Sequence, residues 1–91
     1  MTAETKITAV ANTVGTLMQF DSGRAGAMVQ VPLSQPVWIS RDPTCPMAPP
    51  STRIPAQNAR GDAGEYTFGG PAYELWYYQT AVSGDFTVVT W

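Results

Sequence analysis

The segment Tyr73–Trp91, YELWYYQTAVSGDFTVVTW, decides the fold class. Its residues alternate in side-chain character over Tyr73–Gln79, pass through the turn-forming Ser83-Gly84-Asp85, and alternate again over Phe86–Trp91. Period-two alternation bounded by Gly, Asp and Ser is the signature of antiparallel strands. In the first run, one face carries Tyr73, Leu75 and Tyr77, and the other carries Glu74, Trp76 and Tyr78. Burying an unpaired carboxylate is costly, so the expectation is that Tyr73, Leu75 and Tyr77 line the core. Trp76 and Tyr78 are then expected to face outward as contact residues, since aromatics anchor interfaces. In the second run Phe86 and Val88 share one face, and Val89 and Trp91 the other. A chain end as apolar as Trp91 is expected to be pinned, because loose termini are normally polar.

Working outward, the same pattern recurs. Lys6–Thr13, Thr16–Phe20, Ala27–Val31, Val37–Ser40, Thr52–Pro55 and Glu65–Phe68 read as further short strands, separated by Gly, Pro, Asp and Ser. Seven or eight short strands at this spacing, with no helical periodicity, predict an all-β fold: a small antiparallel β-sandwich or jelly-roll-like domain. The chain has room for a single domain over residues 1–91, with 1–15 an N-terminal arm or first strand able to add to a neighbour's sheet edge. Arg41–Pro55, RDPTCPMAPPSTRIP, holds five of the eight prolines and reads as a loop, because proline donates nothing to a ladder.

Composition narrows the function classes. The chain has 91 residues, a net charge of −2 and 13% charged residues, about half the usual charged share. A domain this small buries only about 60–65% of its unfolded surface. Cys45 is the single cysteine and there is no histidine, so an internal disulfide and a Cys–His or Ser–His–Asp centre are excluded. Metal ligation and cofactor binding are not expected. Lys6, Arg24, Arg41, Arg53 and Arg60 are dispersed, which gives nucleic acid no basic stripe to bind. MTAETKITAV lacks the apolar core of a signal peptide, and no run reaches the ~18–20 apolar residues of a membrane span. The expectation is a chain made in the cytoplasm, not an enzyme, with part of its surface covered by a partner.

Individual motifs carry little chemistry. Arg60-Gly61-Asp62 matches an integrin-binding tripeptide but lies in a stretch that forms turns anyway. Asp42, before Pro43, is suited to organising a turn, and Arg41 and Asp42 together are candidates for pairing with a neighbouring chain. Ser22–Gly26 is glycine-rich but lacks the lysine and helix of a phosphate loop. Trp38, Trp76 and Trp91 with the tyrosines form a candidate sugar-stacking platform.

The succession GRAGAMVQVPLSQPVWISRDPT, RIPAQ and EYTFGGPAYELWYYQTAVSGDFTVVTW, covering roughly residues 20–91, resembles small β-sandwich virion proteins of tailed bacteriophages. The chain departs from that pattern in the proline-rich stretch Cys45–Pro50. The resemblance implies a structural virion protein, foremost a decoration or cement protein on the outer surface of the head. A head-fibre or tail component is the alternative, and a glycan-binding module a second one. It further implies the major capsid protein as partner and a homo-oligomer, with a trimer as first guess. The interface residues expected on this reading are Trp38, Trp76, Tyr78, Trp91, Arg41 and Asp42.

Overall fold

A computed structural model describes residues 2–68 and 72–91. Every regular element among them is a strand. In chain order these are β1 (Ala3–Ala9), β2 (Gly15–Met18), β3 (Ala27–Val31), β4 (Val37–Ser40), β5 (Thr52–Ile54), β6 (Gly64–Thr67), β7 (Trp76–Thr80) and β8 (Gly84–Thr90). They form two four-stranded sheets, ordered β1-β8-β3-β6 and β2-β7-β4-β5.

These orders follow from one long folded ribbon. The pairs β4·β5, β3·β6, β2·β7 and β1·β8 are all antiparallel, which is a hairpin of chain halves with its tip between β4 and β5. Two further antiparallel pairings, β3·β8 and β4·β7, close the ribbon into facing sheets. That is jelly-roll connectivity. The proline-rich segment is the ribbon's tip, where no ladder donors are needed. Its turns are held locally: the Cys45 amide donates to the Asp42 carbonyl at 3.0 Å and the Ser51 amide to the Ala48 carbonyl at 3.0 Å.

The interior is built by strict alternation. In β3, Ala27, Val29 and Val31 are fully buried and Met28 and Gln30 are not; in β4, Val37 and Ile39 are buried and Trp38 and Ser40 are not. Ile54, Phe86 and Val88 complete the space between the sheets. Phe86 and Val88 thus share the inner face of β8, as their spacing predicts. Burying a side chain of this size is worth about 1.5–3 kcal/mol. The fully buried hydroxyl of Thr80 donates to the Pro36 carbonyl at 3.0 Å.

The final hairpin corrects the expected faces. β7 begins at Trp76, not Tyr73, and its inner face carries Trp76, Tyr78 and Thr80. Tyr78 is 7% exposed, whereas Tyr73 is 44% exposed; Leu75 and Tyr77 are half-buried. The physical reason is twofold. Residues 72–75 form a turn, so alternation cannot be counted from Tyr73. And Glu74, whose burial cost decided the expected face, lies outside the strand with Arg41 Nη1 2.6 Å from its Oε2. Gly15 makes room for the Tyr78 ring: a Cβ built there would lie 2.5 Å from that ring.

Candidate docking surface

Two groups of loops cap the sandwich. At the end where β1 meets β2 and β7 meets β8, the contacts are polar. The Asn12 amide donates to the Thr80 carbonyl at 2.8 Å, and the Ala11 amide to Ser83 Oγ at 3.0 Å. The opposite end carries the β2–β3 loop, residues 72–75 and Trp91, and there three large aromatic side chains are exposed among polar ones. Phe20 is 63% exposed, and Tyr73 and Trp91 are each 44% exposed.

Backbone hydrogen bonds and one arginine hold this aromatic end together. The Asp21 amide donates to the Tyr73 carbonyl at 2.8 Å, which brings Phe20 edge-on to Tyr73 with ring centroids 6.2 Å apart. Arg24 donates through Nε to the Ala72 carbonyl at 2.6 Å and through Nη2 to the Gln19 carbonyl at 2.5 Å and the Glu74 carbonyl at 3.3 Å. Its guanidinium is therefore a clamp between the β2–β3 loop and the turn before β7. The expectation that Trp91 is pinned holds: its carbonyl accepts from the Ala25 and Gly26 amides at 2.6 and 3.1 Å, and its amide donates to the Gly26 carbonyl. Gly26 makes room for the indole, since a Cβ there would lie 2.5 Å from it. Between the indole and the loop lies a shallow cleft of about 190 Å³ lined by Ala3, Asp21, Gly23, Arg24, Thr90 and Trp91.

The expected interface residues distribute unevenly. Trp91 is exposed at this end. Arg41 is bound to the same end through its ion pair with Glu74, so it pairs within the chain. No hydrogen-bond donor is aligned on the enclosed Glu74 Oε2, and the Arg41 charge at 2.6 Å compensates it. Asp42 organises the turn it was read to organise, accepting at Oδ1 from the Thr44 amide and hydroxyl, each at 2.9 Å. Those two bonds hold its carboxyl below the usual range. Trp38 is half-buried on the outer face of its sheet, with Arg53 and Gln79 opposite it on β5 and β7. Trp76 packs against the core, its ring 5.0 Å from that of Phe68, and Tyr78 packs inside against Phe86 at 5.1 Å. The outward-facing placement of those two is thereby corrected.

Phe20 and Tyr73 are the surface aromatics that the sequence reading did not single out as contacts. The available signal was position: Phe20 directly precedes the turn Asp21-Ser22-Gly23, and Tyr73 follows Gly-Gly-Pro-Ala. Aromatics at the ends of strands, beside turn residues, escape the alternation that buries their neighbours.

The Cys45 thiol is buried and donates to the Trp38 carbonyl at 3.4 Å. Burial, with the Asp42 charge nearby, pushes it up to about 11, so little nucleophilic thiolate forms near neutral pH. Arg60-Gly61-Asp62 is a turn around Asn58, whose Oδ1 accepts from the Arg60 and Asp62 amides at 2.9 and 3.0 Å. Gly61 there has a φ of 86°, a left-handed conformation natural to glycine. Among the described residues, no helix is long and apolar enough to cross a membrane. Compared with protein-family models, with curated proteins and with solved structures, the chain matches none.

Proposed function

We propose that this chain is a structural virion protein that docks by its aromatic end on the major capsid protein and cements the outer surface of a phage head. The observation that carries the reading is the cluster of Phe20, Tyr73 and Trp91, exposed together on loops held rigid by Arg24 and backbone hydrogen bonds. Rigid, exposed aromatics lose little conformational entropy on binding and act as interface anchors. Jelly rolls are common among capsid and lectin domains, which is support by analogy of fold, since fold alone does not define function. A head-fibre or tail component would use the same anchors on a different neighbour.

The test is co-sedimentation with purified phage heads. The expected result is saturable binding at a copy number that is a fixed multiple of the capsid symmetry. Trp91→Ala and Phe20→Ala should weaken retention without lowering the melting temperature much. Absence of binding to heads would reject the cement role. Trp38, lying between Gln79 and Arg53 on an outer sheet face, favours the glycan-binding alternative. Binding to a sugar array that is lost in Trp38→Ala would move the reading there.

A further inference from the structure

The four strands at the edges of the two sheets are β1, β6, β2 and β5. An open strand edge invites pairing with another chain, and monomeric proteins blunt it by short length, proline, bulges or a covering element. Three of the four are blunted here. β2 has four residues and a register break between Thr16 and Met18. β5 has three residues and runs into Pro55. β6 has four and contacts β5 across the gap between the sheets. Among the described residues β1 has none of these four devices; its only blunting feature is the charge of Glu4 and Lys6, which turns away a like-charged partner but not a complementary one. It has seven residues, no proline, and an unbroken register with β8 from Ala3↔Thr90 to Ala9↔Gly84.

β1 is also exposed in an unusual way. Ala9 and Ile7 point inward and are buried and half-buried. Thr5 and Ala3 share that inner face by alternation, yet both are exposed. Glu4, Lys6 and Thr8 form the outer face. The strand therefore has one side paired, one side free, and an inner face only half covered.

The sequence of β1 specifies what can pair with it. In an antiparallel pair, residues directly opposite share the same face and the same hydrogen-bonding side, so a two-fold axis between two copies of β1 must pass through a residue. An axis at Glu4 sets Glu4 against itself, and an axis at Lys6 sets Lys6 against itself; like charges directly opposite are destabilising. An axis at Thr5 sets Glu4 opposite Lys6 twice, Thr2 opposite Thr8 twice, Thr5 opposite Thr5, and Ala3 opposite the half-buried Ile7 twice. Opposite charges and Thr–Thr pairs are the favourable cross-strand combinations, and the Ala3–Ile7 contacts cover the exposed inner face.

We propose that β1 is an assembly edge that pairs antiparallel with β1 of a second copy about a two-fold axis at Thr5, joining two β1-β8-β3-β6 sheets into one of eight strands. The contact is isologous and closes at two copies, so it gives a dimer, where the resemblance to virion proteins implied a trimer as first guess. It is independent of what the aromatic end docks on.

Charge reversal tests it by sedimentation equilibrium. The wild-type chain is expected to show a concentration-dependent monomer–dimer equilibrium. Glu4→Lys alone and Lys6→Glu alone each replace two attractive pairs with two repulsive ones, and each should weaken the dimer by about tenfold or more. Mixing the two single variants restores complementarity in a heterodimer, and the double variant Glu4→Lys/Lys6→Glu restores it in a homodimer. Recovery in the mixture also shows that the single variants are folded. A chain that stays monomeric at millimolar concentration overturns the proposal. So does a dimer indifferent to the single reversals, a mixture that does not recover, or a trimer.

Discussion

Along one side of the sandwich, β5 and β6 come together across the gap between the sheets; along the other, β1 and β2 make no comparable contact. The closed side is made by short elements that turn sharply. Pro55 ends β5, and Gly64 opens β6 so close to the Pro55 carbonyl that no Cβ fits. The open side is made by a seven-residue strand against a four-residue partner, and its interior is sealed from within by the Tyr78 ring lying over Gly15. The difference separates two kinds of residue. Those at the closed side and under the Tyr78 ring stabilise the fold of one copy. Those along β1 bind the fold through the ladder with β8, through Ala9 and Ile7 at the core, and through an exposed Lys6–Asp85 ion pair at 3.7 Å, while its outer edge is left for association.

The sharpest way to break this comparison is to remove the seal. Tyr78→Ala should cost about 3–5 kcal/mol of folding stability, the range for deleting a large buried aromatic, while Tyr77→Ala on the opposite face should cost clearly less. Chemical denaturation of both variants checks this, and equal losses would mean that β7 is buried on both faces. Next in size is the contrast between the two sides. Ile54→Ala, fully buried on β5, should cost about 2–5 kcal/mol. Ile7→Ala on β1 should cost about 1 kcal/mol in the monomer, because that side chain is only half-buried. Gly64→Ala forces the β5–β6 join apart and should cost about 1–3 kcal/mol, the usual size of an overpacking strain.

The smallest expected effect is a pH response at the ribbon's tip. The Cys45 thiol is raised from its ordinary 9.0 to about 11, first by burial and then by the Asp42 charge. The folded state thus holds this proton more tightly than the unfolded chain does. Its contribution is fully present below pH 9 and is lost as the pH rises toward 11. Thermal melting should show a shallower decline over that window in Cys45→Ser, if the serine hydroxyl keeps the contact with the Trp38 carbonyl.

Much of the architecture is legible in the sequence, for identifiable reasons. β3 and β4 lie at the expected residues because their alternation is uninterrupted and Pro32, Pro36 and Asp42 mark their ends. The inner face of β8 is readable from Phe86 and Val88 for the same reason. β1 begins earlier than Lys6, at Ala3, since Ala, Glu and Thr carry no apolar period and the ladder with β8 alone makes them a strand. The faces of β7 were not legible, because they depended on a turn at residues 72–75 and on the Arg41–Glu74 ion pair, which joins residues far apart in sequence. The aromatic end was half legible: Trp91 stood out as an apolar chain end, while Phe20 and Tyr73 meet only through the Asp21–Tyr73 hydrogen bond. The complementarity of β1 becomes readable once its free edge is known, since the same seven residues paired on both sides would mean nothing for assembly.

The central claim, that the closed side belongs to the fold and the open side to assembly, is tested most directly by amide hydrogen exchange followed as a function of protein concentration. Amides of β3, β4 and β8, hydrogen-bonded in the sheet interiors, should be protected at every concentration. The outward-directed amides of β1, alternate residues between Thr2 and Thr8, should exchange fast in dilute protein and become protected as concentration rises. In Lys6→Glu they should stay fast at the concentrations that protect them in the wild-type chain. Exchange along β1 that is independent of concentration, in a protein whose β3, β4 and β8 amides remain protected, would contradict the account.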